Sequence, residues 1–264
     1  MDSLQKQTQS GKGLAIATLI AIFGTLLVNT LSNFFPPGGE NVGEIANTVL
    51  AGVLITPANY AFAIWGIIYL GLIAYGIYQF EADRRRELTI KRVNKLLITA
   101  CIAQIIWIFL FTLQQFTLSI LAMVGILLPL IGIYLTFDIG RRERVSRLGR
   151  WAAHIPFSIY LGWISVATIV NVASALYVAG WNGWGISGVA WTAIMIGVAT
   201  GLGAMVIVRR RDVAFTLVFV WAFVAIAIRH SDLPTIWITA AAGSVVLLGL
   251  LGFVKAKGRR RSRL

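Results

Sequence analysis

Eight apolar runs of near membrane-crossing length divide this chain, at about 14–34, 58–80, 94–113, 117–138, 152–178, 186–208, 213–229 and 233–254. A helix crosses a hydrocarbon core roughly 30 Å thick with about 20 mostly apolar residues, because each residue rises about 1.5 Å. Backbone groups cannot go unpaired in lipid, so runs of this kind are expected to form helices. The fold class expected is therefore an all-α integral membrane bundle of about eight transmembrane helices. The seventh run, VAFTLVFVWAFVAIAI, is the shortest, and its length leaves open whether it crosses fully. Composition agrees, with 58% hydrophobic and 12% charged residues, where soluble domains average about a quarter charged.

The charges orient the runs. Lys and Arg accumulate in cytoplasmic loops, and here they cluster at Lys6 and Lys12, Arg84 to Lys95, Arg141 to Arg150, Arg209 to Arg211, and Lys255 to Arg263. With eight spans and both termini cytoplasmic, every Lys and Arg except Arg229 falls on one side. A missed span would break that alternation. The net charge of +13 is thus explained by the membrane, with anionic lipid at the cytoplasmic face as partner and no nucleic acid. A bacterial-type plasma membrane is the simplest location. The first run is longer than the apolar core of a signal peptide and LSNFF after it offers no small-x-small cleavage site, so a retained helix is expected. The lone cysteine, Cys101, allows no intrachain disulfide.

Of the external connections only the first is long, FFPPGGENVGEIANTVLAGVLITPAN. Pro36-Pro37-Gly38-Gly39 breaks the preceding helix, and Ile45 to Ile55 is read as a short interfacial helix that covers a cavity opening outward.

Ionisable chemistry is sparse between the ends. All ten Asp and Glu residues lie in loops or at helix ends, and no pair is placed for acid–base work. His154 and His230 fall near opposite faces, so they share no metal site. What occupies the interiors of the runs is neutral and aromatic. Phe62, Trp65 and Tyr69 share one helical face, as do Gln104, Trp107 and Phe111, and again Tyr160, Trp163, Ala167 and Asn171. Each polar member alone is accounted for by hydrogen bonding between helices. Interfacial anchoring explains Tyr60, Tyr78, Trp151, Trp181, Trp184 and Trp237, but not Trp65, Trp107 and Trp163, which lie well inside their runs. Mid-membrane tryptophans on matched faces imply an apolar cavity for a planar hydrophobic ligand, held by stacking.

At these residues the sequence resembles the TspO/translocator protein family, the tryptophan-rich sensory proteins or peripheral-type benzodiazepine receptors. In the second run Pro57-Ala-Asn-Tyr60-Ala-Phe62-Ala-Ile-Trp65 through Tyr69 resembles Pro-x-x-Trp-Val-Phe followed by Trp-x-x-Leu-Tyr. In the third, Gln104-Ile-Ile-Trp107 with Phe111 resembles Asn-x-x-Trp-x-x-x-Phe. In the fifth, Trp163-x-x-x-Ala167-x-x-Val170-Asn171 resembles Trp-x-x-x-Ala-x-x-Leu-Asn, with Tyr160 at the family's tyrosine. Departures are Tyr60 for the first tryptophan, Gln104 for asparagine, and Pro156 three residues early.

The resemblance covers the first five spans, roughly residues 14 to 178, and divides the chain into residues 1–180, a TspO-like five-helix bundle, and residues 181–264, which add three helices and a basic tail. It implies a cavity covered by the first loop, binding tetrapyrroles such as porphyrin or haem, or sterols, often in a homodimer. Carried over, Trp65, Trp107 and Trp163 stack on the ligand, Gln104 and Asn171 hydrogen-bond to it, and Ala167 keeps the wall close. The expected function is a membrane-embedded binding or sensory protein for such a ligand, not an enzyme, and with no required cofactor. Two other readings stand beside it. One is a multi-pass transporter of a small apolar or neutral solute, using the last three helices as a moving element. The other is light-dependent porphyrin breakdown through tryptophan photochemistry. Gly197 and Gly201 in GVATGLGAM form a small-xxx-small pair suited to helix association.

Overall fold

The computed structural model describes residues 11–141 and 145–261, with side chains to residue 257. Lys6, Arg142, Arg144, Arg263 and the side chains of Arg259, Arg260 and Arg261, all used above to orient the chain, lie outside the described part.

Each apolar run is helical. The helices are α1 (Lys12–Phe34), the short α2 (Val42–Asn47), α3 (Ile64–Tyr78), α4 (Leu88–Thr112), α5 (Phe116–Thr136), α6 (Ile155–Val178), α7 (Gly188–Arg210), α8 (Val213–Arg229) and α9 (Pro234–Arg261). A 3-10 turn, Asn59–Ala63, leads into α3, and a π turn, Arg150–His154, leads into α6. No strand occurs among the described residues. Seven helices are long and apolar enough to cross a membrane. The other long one, α8, has 17 residues, about 25 Å of helix and the lower limit for a span.

Both ends of α8 are tied to earlier parts of the chain. At its start Asp212 caps the helix, accepting from the Phe215 amide at 3.1 Å, and its other oxygen accepts from Tyr134 on α5 at 2.9 Å and Ser158 on α6 at 2.6 Å. At its far end Arg229 turns back onto the first loop.

Packing follows a ring. α1 lies against α3 and α4, α4 against α5, α5 against α6, and α6 against α3, which closes a five-helix bundle. α7, α8 and α9 pack on one another, and α8 joins them to α6. The consecutive helices α6 and α7 do not pack extensively together. At the basic end a buried chain of hydrogen bonds joins three helices. Tyr75 donates to Asn94 Oδ1 (2.7 Å), Asn94 to Gln79 Oε1 (2.8 Å), and Gln79 to the Ala15 carbonyl (3.1 Å). Satisfied networks of this sort specify one packing in a core otherwise made of interchangeable aliphatics.

The first loop differs from the interfacial helix expected over Ile45–Ile55. Its helix starts earlier, at Val42, where Asn41 and Glu44 form a capping box, and ends at Asn47. Ile45, Leu50, Val53 and Ile55 are buried, so the segment folds inward over the bundle mouth. Gly38 anchors its beginning, since any Cβ there would collide with the Thr112 carbonyl at the end of α4. Gly197 and Gly201 meet no other element.

Candidate functional site

Beneath this loop a cavity opens between α3, α4 and α6. Val42 and Ala46 of α2, with Leu50, Thr56 and Pro57, form its roof. The walls include Phe62, Trp65, Gln104, Trp107, Phe111, Met123, Trp163, Ala167, Val170 and Asn171. Helical spacing brings these side chains together: residues three, four and seven apart on three neighbouring helices point at one space.

Eight of the ten residues singled out above therefore line one cavity: Phe62, Trp65, Gln104, Trp107, Phe111, Trp163, Ala167 and Asn171. Tyr69 and Tyr160 stand behind them. Tyr69 stacks on Trp65, with ring centroids 5.5 Å apart at 24°, and Tyr160 meets the same indole edge-on at 6.0 Å. Both rings thus hold Trp65 in place. Phe62 packs edge-on against Trp163 at 6.0 Å, and the Trp107 and Phe111 rings lie 4.9 Å apart, tilted by 32°.

The polar groups divide into engaged and free. Asn171 accepts from the Trp107 indole at 2.8 Å and donates to Ser119 at 3.0 Å, so it is spent on joining α4, α5 and α6. Gln104 accepts from Tyr160 at 3.3 Å, but its Nε2 has no partner and the residue is 0% exposed. Thr56 is also buried with its hydroxyl unpartnered. Buried donors are nearly always paired, so two orphans on one cavity wall mark where a ligand's acceptor would sit. Thr56 and the other roof residues were not visible in the long helical periodicities because they sit in the first loop, on the short α2 or the irregular chain after it; the signals were the loop's length and its Pro-Pro-Gly-Gly start.

The cavity is small as closed. Its volume is about 60 Å³, room for a few waters and well short of a tetrapyrrole. A planar ligand of that class requires the roof to move. The roof is held by α8. Arg229 donates to the Ala46 carbonyl at 2.8 Å and to Asn47 Oδ1 at 2.9 Å, the Ala58 amide donates to the Ala225 carbonyl at 3.1 Å, and Trp221 donates to the Ala61 carbonyl at 3.2 Å. Tyr60 faces Trp221 edge-on at 5.1 Å and does not line the cavity. No charged side chain lines this cavity, and among the described residues no group of three His, Cys, Asp or Glu could hold a metal ion.

A family model described as TSPO-like protein matches residues 15–253, running past the first five helices and into α9. No curated protein and no solved structure matches the chain.

Proposed function

The chain belongs to the TSPO-like protein family, and on that premise we propose that it is a membrane-embedded binding protein for a ring-bearing hydrophobic molecule of the tetrapyrrole or sterol class. It is a multi-pass membrane protein built as an all-α bundle. The observation that carries the proposal is the convergence of Trp65, Trp107 and Trp163 on one uncharged cavity whose wall holds the unpartnered Gln104 Nε2. Indole faces favour flat apolar rings, and unpartnered donors in dry surroundings favour a ligand with a well-placed acceptor, since an unpaired buried donor costs about 1–3 kcal/mol.

On this reading the first loop is a lid and α8 is its latch. Ligand enters when the Arg229 contacts release. Turnover is not part of the proposal.

The test is a titration of purified protein with protoporphyrin IX, read by tryptophan quenching. Saturable binding is expected, weakened about fivefold to tenfold by Trp65→Leu or Trp163→Leu, as loss of an aromatic contact worth ~1 kcal/mol implies. Neither indole nitrogen has a hydrogen bond in the structure whose loss would confuse the result, whereas Trp107→Leu would also remove a hydrogen bond to Asn171. No saturable binding by folded wild-type protein would refute the proposal for this ligand class.

A further inference from the structure

The second large space in the molecule lies between α6 and α7, on the far side of α6 from the tryptophan cavity. Its walls are the outer halves of the two helices, with Ile169, Val172 and Leu176 facing Met195, and the loop segment Gly52–Ile55 closes one side. About 470 Å³ is reachable by the centre of a water-sized sphere, within the roughly 300–1,000 Å³ of small-molecule sites. The space exists because α6 and α7 splay: α6 packs on α3, α5 and α8, while α7 packs on α8 and α9.

From this gap we infer that the chain holds the acyl chain of a phospholipid from the lid-side leaflet, wedged between α6 and α7. Polarity argues for hydrocarbon. The two hydroxyls inside bond to their own helices, Thr168 to the Ile164 carbonyl at 2.7 Å and Thr192 to the Gly188 carbonyl at 2.8 Å. No buried side-chain polar atom of the gap is left unpartnered, unlike the tryptophan cavity, so the interior of the gap holds no free donor for a polar occupant.

The mouth of the gap fits the other end of such a molecule. Trp181, Asn182 and Tyr177 stand there, neutral and amphipathic, at the helix ends where such rings meet head groups. Trp181 and Trp191 pack with centroids 5.3 Å apart, and the Trp191 indole donates to the Gly183 carbonyl at 2.8 Å. The rim is therefore a fixed feature. With no charged residue in the lining, the site matches a head group of no net charge, such as phosphatidylcholine. An apolar void of this size beside fluid hydrocarbon loses its dispersion contacts unless it is filled. The inference is independent of what the tryptophan cavity binds.

The test is native mass spectrometry of the full chain after reconstitution with palmitoyl-oleoyl phosphatidylcholine. One phospholipid per chain is expected to survive activation that strips the rest. Ala173→Phe, which fills the gap, should cut the retained fraction at least fivefold, while Val198→Phe on the exposed face of α7 should leave it unchanged. Equal retention by Ala173→Phe, no retention by the wild type, or a protein dimer dissolved by Ala173→Phe would overturn the assignment. Because Ala173→Phe bears on folding too, the unaltered chain is also photolabelled with a phosphatidylcholine carrying a diazirine in its acyl chain. Adducts should concentrate at Val172, Leu176 and Met195; adducts spread evenly over exposed Ile20, Leu121 and Val245 would equally count against it.

Discussion

Gln104 and Asn171 look alike in the sequence, two amides on cavity-facing helices, yet the structure gives them different work. Asn171 joins three helices through Trp107 and Ser119, so Asn171→Leu leaves the buried Trp107 indole N–H unpaired, while Ser119 keeps its bond to the Phe116 carbonyl. We predict a loss of about 1–3 kcal/mol in stability, measurable by thermal unfolding in detergent, before any effect on ligand is considered. Gln104→Leu removes the free Nε2 donor. It should weaken a ligand bearing a carbonyl acceptor by about fivefold to tenfold, the worth of a hydrogen bond of ~1 kcal/mol, with a smaller effect on unfolding because its one bond, to Tyr160, is long. The difference was not legible in the sequence, since helical spacing places both amides on the same cavity without revealing which has a partner across it. His230 adds a pH effect outside the spans. Burial first, and then the charge of Arg229, hold its imidazole below the ordinary value, against the opposing pull of the Thr56 backbone and Asp232. A depressed value means that the unfolded chain takes up a proton first, so stability is full above the ordinary imidazole value and falls as pH drops below it. Thermal unfolding should therefore soften between about pH 7.5 and about pH 5.5, and less so in His230→Asn.

The loop between α1 and α3 is the element on which the site turns. Its length and its Pro-Pro-Gly-Gly start marked it in the sequence, but its inward course did not follow from composition. That course depends on Arg229, 182 residues from Asn47, and on backbone bonds such as Ala58 to Ala225, contacts that no local pattern encodes. Arg229 had stood out only as the single cation off the basic side. Hydrogen bonds from a charged donor are worth about 1.5–3 kcal/mol each, reduced here by partial exposure. Arg229→Gln should accordingly raise amide exchange across residues 42–57 on the order of tenfold, and speed both ligand association and release. Unchanged exchange in that loop would remove α8 from its role as latch. The tryptophan faces, by contrast, were legible at once, because three residues at helical spacing on each of three long helices leave little freedom in where they point.

At the scale of the whole molecule, helix count and class could be read from run length and charge alternation, whereas the packing order could not. α3 and α6 carry apolar residues on most of their surface, so no stripe announces which neighbour each prefers. The ring α1–α4–α5–α6–α3 rests instead on buried polar joints such as Tyr75–Asn94–Gln79. The last three helices are joined to it at both ends of α8, by Asp212 to Tyr134 and Ser158 and by Arg229 to the lid. Removing residues 186–264 should therefore strand two buried hydroxyls and free the lid, and the shortened chain should melt lower than the full one and expose the first loop to proteolysis. The family match through residue 253 accords with the three helices being integral to the protein. Two apolar spaces flank α6, one with free donors and one without, and the account assigns rings to the first and hydrocarbon to the second. A structure of the full chain with protoporphyrin IX bound tests that assignment most directly. The macrocycle is predicted among Trp65, Trp107 and Trp163, with an acceptor on Gln104 Nε2 and the Arg229 contacts to the lid displaced; a macrocycle lodged between α6 and α7, or on the outer surface with the lid still latched, would contradict it.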